Sequence, residues 1–406
     1  MMFYDKLLGR KTVFMLRAVL FDMDGVIIDS EPLHAKAFQL AMKEYGLDLR
    51  EEYCYQFIGR TDRDFAKTLV NEYKLSYTDD DLLNSKNKTL AKLESEIGYP
   101  VIDYVKDLVI DLHSHNIKLA IASSSPMEAI MNTADKLGLT EYFDQFVSGT
   151  DLKHSKPAPD IFLKAAQMLM VDPSECLVIE DSCHGVCAAK SADMTCVGFY
   201  NPHSGNQDLS KADIIVEGFA EVDTQFLTQI YCHSHMDPFT IATTERIILR
   251  ELALSDMKAL YEIYQQSENR KFLYEIGDYQ TELSKLEAYI KNVYHFYNFG
   301  YWGVFDAKTN QLIGRCGIQA NEVDGQMEIE LGYLLSEDSK GKGLAYESVQ
   351  EVLKYAFYRL DISRIISVIE TSNIKSRNLA LKLGMKLEKI ILHKQVKCEV
   401  YVITKN

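Results

Sequence analysis

Short apolar runs alternate with one-sided helical stripes and lay this chain out as two consecutive α/β units. Ala18-Val19-Leu20-Phe21 is an uninterrupted apolar run of the kind that forms a strand covered on both faces. From Glu31 to about Pro100 the pattern becomes helical and polar-faced, with no strand-like run. Strand and helix signals then alternate. Leu119-Ala120-Ile121-Ala122 precedes a helix with Met127, Ile130, Met131, Ala134 and Leu137 on one face. Ile161, Phe162, Ala165, Ala166 and Leu169 mark the next helix, and Cys176-Leu177-Val178-Ile179 the next strand. This alternation predicts a doubly wound parallel sheet, and the helical stretch after its first strand reads as an inserted cap.

Apolar signals weaken between about Leu227 and Thr240, where Cys232-His233-Ser234-His235-Met236-Asp237-Pro238 breaks the periodicity. A linker is expected over 231–240. The second unit opens on Arg246-Ile247-Ile248-Leu249-Arg250 and shows strands from Trp302 to Phe305, Leu312 to Ile318 and Met327 to Leu335. Its clearest helix carries Ala345, Val349, Val352, Leu353 and Ala356 at helical spacing.

Composition narrows the partners. A formal charge of −15 over 406 residues repels phosphate backbones and anionic lipid, so neither nucleic acid nor a membrane surface is expected. Small anionic substrates stay open, because a local cationic pocket or a metal ion outweighs the distant field. The eight cysteines are too scattered for a disulfide framework and read as small semi-apolar residues in a reducing cytosol. No apolar run reaches the roughly 20 residues needed to span a bilayer. Residues 1–15 lack the apolar core of a signal peptide and are expected to be a loose extension, which makes the expected location cytoplasmic.

Candidate chemistry gathers at predicted strand ends. Asp22 and Asp24 lie just past the first strand, and Glu180-Asp181 end another; in open α/β sheets that edge binds ligands. Carboxylates crowded together titrate upward or recruit a cation, and this set suggests hard oxygen ligation of Mg²⁺. Ser123, at its own strand end, offers a hydroxyl and following backbone amides to phosphate oxygens. Lys156, within Ser155-Lys156-Pro157-Ala158-Pro159-Asp160, supplies a point cation for developing charge. Each piece alone is an ordinary turn or loop signal; their order and placement make a site.

These segments resemble the haloacid dehalogenase (HAD) superfamily over roughly Leu16 to Leu227. Asp22-Met23-Asp24-Gly25-Val26-Ile27-Ile28-Asp29-Ser30 is similar to its first motif, Ser123 to its second, Lys156 to its third and Glu180-Asp181 to its fourth. The resemblance implies that Asp22 is a nucleophile forming an aspartyl-phosphate and that Asp24 is the general acid, then base. It implies Mg²⁺ on Asp22, the Asp24 carbonyl and Asp181, with Glu180 in support. The nearest branch is β-phosphoglucomutase-like, with His34 placed to assist Asp24 and Lys86-Asn87 similar to a cap pair. In Gly59-Arg60-Thr61-Asp62 the chain departs from the mutases, which have an arginine at the position of Asp62. A phosphatase on a small sugar phosphate is therefore expected ahead of a mutase.

The second unit combines Glu330-Leu331-Gly332-Tyr333-Leu334 with Lys340-Gly341-Lys342-Gly343-Leu344-Ala345-Tyr346-Glu347. A strand, a glycine-rich turn and a helix N-terminus make an anion site, since glycines let backbone amides approach a pyrophosphate. With Thr244-Glu245-Arg246-Ile247-Ile248-Leu249-Arg250, Asn373-Ile374-Lys375-Ser376 and Lys382-Leu383-Gly384, it resembles the GNAT acetyltransferases, in their ribosomal-protein N-terminal acetyltransferase branch. The resemblance implies acetyl-CoA held by Lys340, Gly341, Lys342, Gly343, Leu344, Ala345, Asn373 and Ser376. It also implies an amine acceptor, a small molecule or a protein N-terminus, whose recognition is expected from Glu268 to Tyr279. Lys340 replaces the family's Gln or Arg, and Ala380 stands where many relatives have a tyrosine acid. Glu330 is the candidate acceptor of the amine proton.

The expected protein has an α/β doubly wound HAD core (16–30 and 100–230) with a helical cap (31–99). An α+β GNAT domain with a mixed sheet follows over 241–406. Two further readings are kept: a phosphomutase in the first unit, or one domain, with GNAT foremost, serving only as a binding module.

Overall fold

In the computed structural model the described residues are 15–50, 53–54, 62–273 and 276–405. The expected extension (all but Met15) and Gly59, Arg60 and Thr61 lie outside them. The chain divides into two compact units between Met236 and Asp237.

The first unit is a parallel sheet of β1 (Ala18–Phe21), β2 (Lys118–Ser123), β3 (Gln145–Ser148), β4 (Cys176–Glu180), β5 (Thr195–Phe199) and β6 (Ile214–Val216). Its spatial order is β3-β2-β1-β4-β5-β6. The central strand β1 is buried at every position, and its Phe21 is in register with Ile121 of β2 and Ile179 of β4. Apolar layers cover both faces, one around Phe21, Leu108, Ile130 and Tyr231, the other around Leu20, Phe162, Ala166 and Val186. A strand enclosed on both sides must be apolar throughout, which is why it read as a continuous run.

The cap is built from α1 (Glu31–Met42), α2 (Asp62–Glu72) and α3 (Asp79–Ile97), which close over their own core of Phe38, Met42, Phe65, Leu69 and Leu82. A Thr78–Asp81 capping box starts α3. The two chain crossings between core and cap run side by side. Asp29 N donates to Pro100 O at 2.8 Å, and Ile102 N to Ile27 O at 3.1 Å.

Helices α4 (Val105–Ser114), α5 (Met127–Lys136), α6 (Asp160–Leu169), α7 (Cys183–Ser191) and α8 (Thr224–Ser234) cover the sheet. In α5 the buried side is Ile130, Thr133 and Ala134, while Met127 and Met131 are exposed, so the apolar face is narrower than its methionines suggest. Helix α8 runs into the segment expected to be a linker. Tyr231 is fully buried in the first unit's core and its hydroxyl donates to Ser174 O at 2.7 Å. The Asp223 carboxylate caps that helix by accepting from Phe226 N at 2.8 Å, which carries the helical register past residue 231.

The second unit contains a mixed sheet of eight strands. They are β7 (Thr240–Thr243), β8 (Ile247–Arg250), β9 (Tyr301–Asp306), β10 (Leu312–Val323), β11 (Gln326–Leu335), β12 (Arg364–Glu370), β13 (Lys386–His393) and β14 (Val396–Thr404). All neighbours are antiparallel except β11 and β12, which share the single parallel register pair Glu330–Ile366. Beyond that pair the two strands part, and a cleft lined by both opens between them. Helices α9 (Met257–Gln265), α10 (Tyr279–Tyr289), α11 (Leu344–Tyr358) and α12 (Ile374–Lys382) flank the sheet. Among the described residues, no helix is long and apolar enough to cross a membrane.

Candidate functional site

Because β1, β2 and β4 are parallel neighbours, their C-terminal ends deliver Asp22, Ser123 and Glu180-Asp181 to one edge of the sheet. The Asp22 amide continues the ladder by donating to Ile179 O at 3.1 Å. Lys156 reaches in from the loop before α6. Its ammonium pairs closely with Asp22 and lies 2.6 Å from Glu180 Oε1, with its side chain 9% exposed. Asp24 Oδ2 accepts from Ser125 Oγ at 2.8 Å and from Ser123 Oγ at 3.3 Å. Ser204 donates to the Asp181 carboxylate. Asp22, Asp24, Ser123, Lys156, Glu180 and Asp181 thus meet in one place.

Two of them make contacts that were not expected. The Ser123 hydroxyl donates to Asp24 and accepts from Ser125 N at 3.0 Å, so it orients the carboxylate instead of standing open to a phosphate. Glu180 accepts from Lys156 and from both the amide and hydroxyl of Ser182, each at 3.0 Å. It holds the lysine and is not turned out as a ligand. Ser125, Asn201 and Ser204 were not singled out from the sequence. The Ser123-Ser124-Ser125-Pro126 run and the turn-forming Asn201-Pro202-His203-Ser204-Gly205 were their signals. Asn201 Nδ2 donates to Gly25 O at 3.1 Å, fixing the turn of the first motif.

Gly25 has φ +85°, and a Cβ there would lie 1.9 Å from the Asp181 carboxylate. Only glycine lets the two acidic segments approach this closely. Burial, reinforced by Glu180, Asp181 and Asp24 and opposed by Lys156, pushes the Asp22 carboxyl well above its ordinary range. Burial and Glu180 push Asp181 up to about 7. Burial works against the Lys156 charge, but Asp22 and Glu180 outweigh it and hold the ammonium protonated.

Four carboxylates thus surround one ammonium, an excess of negative charge that a divalent cation would relieve. Among the described residues, no three His, Cys, Asp or Glu side chains converge as a ligand group. Asp24 faces its serines and Glu180 faces Lys156, so a cation here would take side-chain oxygens from Asp22 and Asp181 and depend on backbone oxygen for the rest. The donor set fits a hard oxygen-seeking ion on those terms.

Above the site, the buried cap residue Lys86 lies 2.5 Å from Asp62 Oδ2 and 3.2 Å from His34 Nδ1. Burial and Lys86 lower the His34 pKa. Asn87, the other member of the cap pair resembled, is exposed. Arg63 is engaged by Asp79 and Asp80 at 3.1 and 2.9 Å. Glu31 sits among these groups, and burial, Asp62 and Asp24 raise its pKa to about 7. An acid whose folded pKa is raised contributes stability fully below its unfolded value of about 4.5 and loses it as pH climbs through 7. Glu31→Gln is expected to remove that decline, stabilising the protein at pH 8 by about 1–2 kcal/mol relative to wild type and leaving pH 4 unchanged. Thermal melts across this range check it; parallel curves for the two proteins would contradict the assignment.

In the second unit, Gly341 and Gly343 adopt φ +76° and +78°, and Gly343 is the N-cap of α11. The left-handed turn exposes the first amides of the helix, the arrangement that receives anions. A cavity of about 720 Å³ beside it is lined by Lys340, Gly341, Gly343, Leu344, Ala345, Asn373 and Ser376 among others. Lys342 is not among the lining residues; its carbonyl accepts from Arg246 at 3.0 Å, and Arg246 also pairs with Glu347, which staples the turn. Lys340 donates to Asn269 Oδ1 at 2.6 Å. The Asn373 side-chain oxygen caps α12 by accepting from Ser376 N at 3.1 Å.

A second cavity of about 650 Å³ occupies the parting of β11 and β12. Phe272, Leu273, Tyr333, Asn373 and Ser376 line both cavities, so the two meet there. Tyr333 was not singled out from the sequence. Its hydroxyl donates to Ser376 Oγ at 3.0 Å, and burial raises its pKa to about 12. Glu330, on the second cavity's wall, accepts from Asn321 Nδ2 at 2.8 Å.

Both halves of the chain match known proteins. The family model of the haloacid dehalogenase-like hydrolases matches residues 19–199, and that of the acetyltransferase (GNAT) domain matches residues 246–386. A phosphorylated carbohydrates phosphatase of Thermotoga maritima is 33% identical, over 44% of this chain and 82% of its own length. The fructose-1-phosphate phosphatase YqaB of Escherichia coli is 32% identical, over 44% of this chain and 94% of its own. A solved structure of a putative β-phosphoglucomutase from Thermotoga maritima is 31% identical, over 49% of this chain and 94% of its own, with a TM-score of 0.45. The chain belongs to the haloacid dehalogenase-like hydrolases. Its C-terminal half is a GNAT acetyltransferase domain, so the protein combines two enzymatic domains.

Proposed function

We propose that the first unit is a Mg²⁺-dependent phosphatase of small sugar phosphates and that the second transfers acetyl from acetyl-CoA to an amine. The observation that carries the first half is the convergence of Asp22, Asp24, Lys156 and Asp181 at one sheet edge. The names of the matched phosphatases support a sugar phosphate as substrate. Asp22 attacks phosphorus and becomes the aspartyl-phosphate. Asp24, aimed by Ser123 and Ser125, protonates the departing sugar oxygen. It then takes a proton from the water that attacks the aspartyl-phosphate, releasing phosphate and restoring Asp22. Lys156 favours the ionised form of Asp22 against its burial and steadies charge on the transferring group. A magnesium ion held by Asp22, Asp181 and the Asp24 carbonyl would screen the nucleophile from the substrate's own charge.

Hydrolysis is favoured over mutation of the phosphate position by the cap. A mutase must rebind a doubly phosphorylated intermediate, and Asp62 puts a carboxylate on Lys86 where the mutases resembled carry an arginine. The deciding experiment incubates a panel of sugar phosphates, β-glucose 1-phosphate included, with Mg²⁺ or with a chelator. Free phosphate released only with Mg²⁺ is expected. Glucose 6-phosphate as the main product would replace this reading with the mutase, and turnover in chelator would remove the metal.

In the second unit the amine proton passes to Glu330, the nitrogen forms its bond to the acetyl carbon as the C–S bond breaks, and Tyr333 protonates the leaving thiolate. Tyr333 stands where the two cavities meet, and it takes the role left open by Ala380. Calorimetry with acetyl-CoA tests the binding half; no heat of binding would make this domain a passenger.

A further inference from the structure

The acetyl-acceptor cavity contains a cation for which the described residues supply no counter-ion. Arg315 projects from β10 into it, with its guanidinium carbon 5.0 Å from the ring centroids of both Tyr264 and Tyr301. Among the described residues, no carboxylate lies within ion-pair distance of Arg315. The three acidic residues among those lining the cavity are engaged elsewhere: Glu282 by Lys285 at 2.8 Å and by Gly277 N at 2.9 Å, Glu330 by Asn321, and Glu370 by the Ser372 hydroxyl at 2.5 Å. Tyrosine faces compensate an enclosed cation only in part, about 1–2 kcal/mol for a favourable contact, well short of the penalty for taking a charge out of water. A guanidinium in such a place is built to receive an oxyanion, which it grips through two parallel hydrogen bonds.

We infer that the acceptor is a small amine bearing its own carboxylate or phosphate, which Arg315 binds while Glu330 draws the amine. The inference rests on the acetyltransferase reading of this domain. Opposite charges on the same wall suit a zwitterion, one end to each. They suit poorly a neutral peptide N-terminus, which would bring a cation for Glu330 and leave Arg315 uncompensated. Beyond Arg315 lies a smaller cavity of about 180 Å³, lined by Leu252, Met257, Leu260 and Leu286 and, at its charged side, by the Glu282–Lys285 pair. Amino acids and amino-sugar phosphates share the required chemistry.

The test is acetyl transfer, read as released thiol, by wild type, Arg315→Gln and Arg315→Lys, with acetyl-CoA affinity measured by calorimetry on each. The acceptors are free amino acids, the same amino acids as amides, amino-sugar phosphates, and peptides beginning with alanine or aspartate. Wild type is expected to prefer an anionic amine over its neutral counterpart by about 100-fold in kcat/KM. Arg315→Gln should erase that preference through the KM for the anionic acceptor, at unchanged acetyl-CoA affinity, and Arg315→Lys should recover part of it. The best free acceptor identifies which source supplies the anion. Equal use of amino acids and their amides, preference for peptides over every free amine, or failure to acetylate any anionic amine while acetyl-CoA binds would overturn the proposal. Loss of acetyl-CoA binding by wild type would instead remove the acetyltransferase reading beneath it.

Discussion

Asp22→Asn is expected to end phosphate release, lowering turnover by about 10⁴-fold or more, without unfolding the first unit. The amide is nearly the shape of the carboxylate and still offers an oxygen to Lys156, so the sheet edge keeps its packing. What disappears is the nucleophile, and no neighbour can replace it: Asp24 is tied to Ser123 and Ser125, and Asp181 to Ser204. Stability should move the other way. Asp22 is buried among three other acids, and removing one negative charge relieves repulsion that only Lys156 answers within the protein. Metal-free Asp22→Asn should therefore melt above metal-free wild type at pH 8. Phosphate release measured beside thermal melts checks both halves. More than a tenth of wild-type turnover would sink the assignment of the nucleophile.

Lys156→Met is the substitution expected to damage the fold itself. The methionine matches the length of the lysine stem but leaves Asp22 and Glu180 facing each other with no cation between them. Breaking a buried pair from one side costs about 3–5 kcal/mol, because the abandoned charge stays desolvated. Here one lysine serves two acids, so the upper part of that range is expected at pH 8. The penalty should shrink toward pH 5, where the Asp22 carboxyl, already raised by burial, takes up a proton. Chemical denaturation at the two pH values reads the difference. Equal losses at both would mean that the lysine contributes packing and not charge.

The placement of the first site was legible because its residues sit at the ends of apolar runs, and a parallel sheet sends all such ends to one edge. Ala18–Phe21 and Cys176–Glu180 are buried throughout, so no polar residue obscured where they stop. The functions of Ser123 and Glu180 were not legible, because they depend on Ser125 and Ser182, near in sequence but unmarked by any spacing rule. Ser204 and Asn201 reach the site across more than twenty residues of chain, where local pattern is silent. The last turn of helix α8 fell within the expected linker because the polar end of its sequence masked Tyr231. In the second unit, the glycine turn announced itself by composition, whereas Tyr333 and Arg315 read as ordinary strand residues. Their importance comes from the parting of β11 and β12, a feature of register that no residue type encodes.

The adjoining crossings at Asp29 and Pro100 make the cap a detour that leaves and re-enters the core at almost the same point. Lengthening such a loop adds little to its closure cost, about 0.6 kcal/mol for each doubling of length. The insertion is therefore portable. Helices of another size or chemistry could be spliced between those two backbone bonds while the four acids and their lysine stay in place. On the proposed reading, substrate choice would lie with the cap and phosphoryl chemistry with the core, two parts joined at a single point.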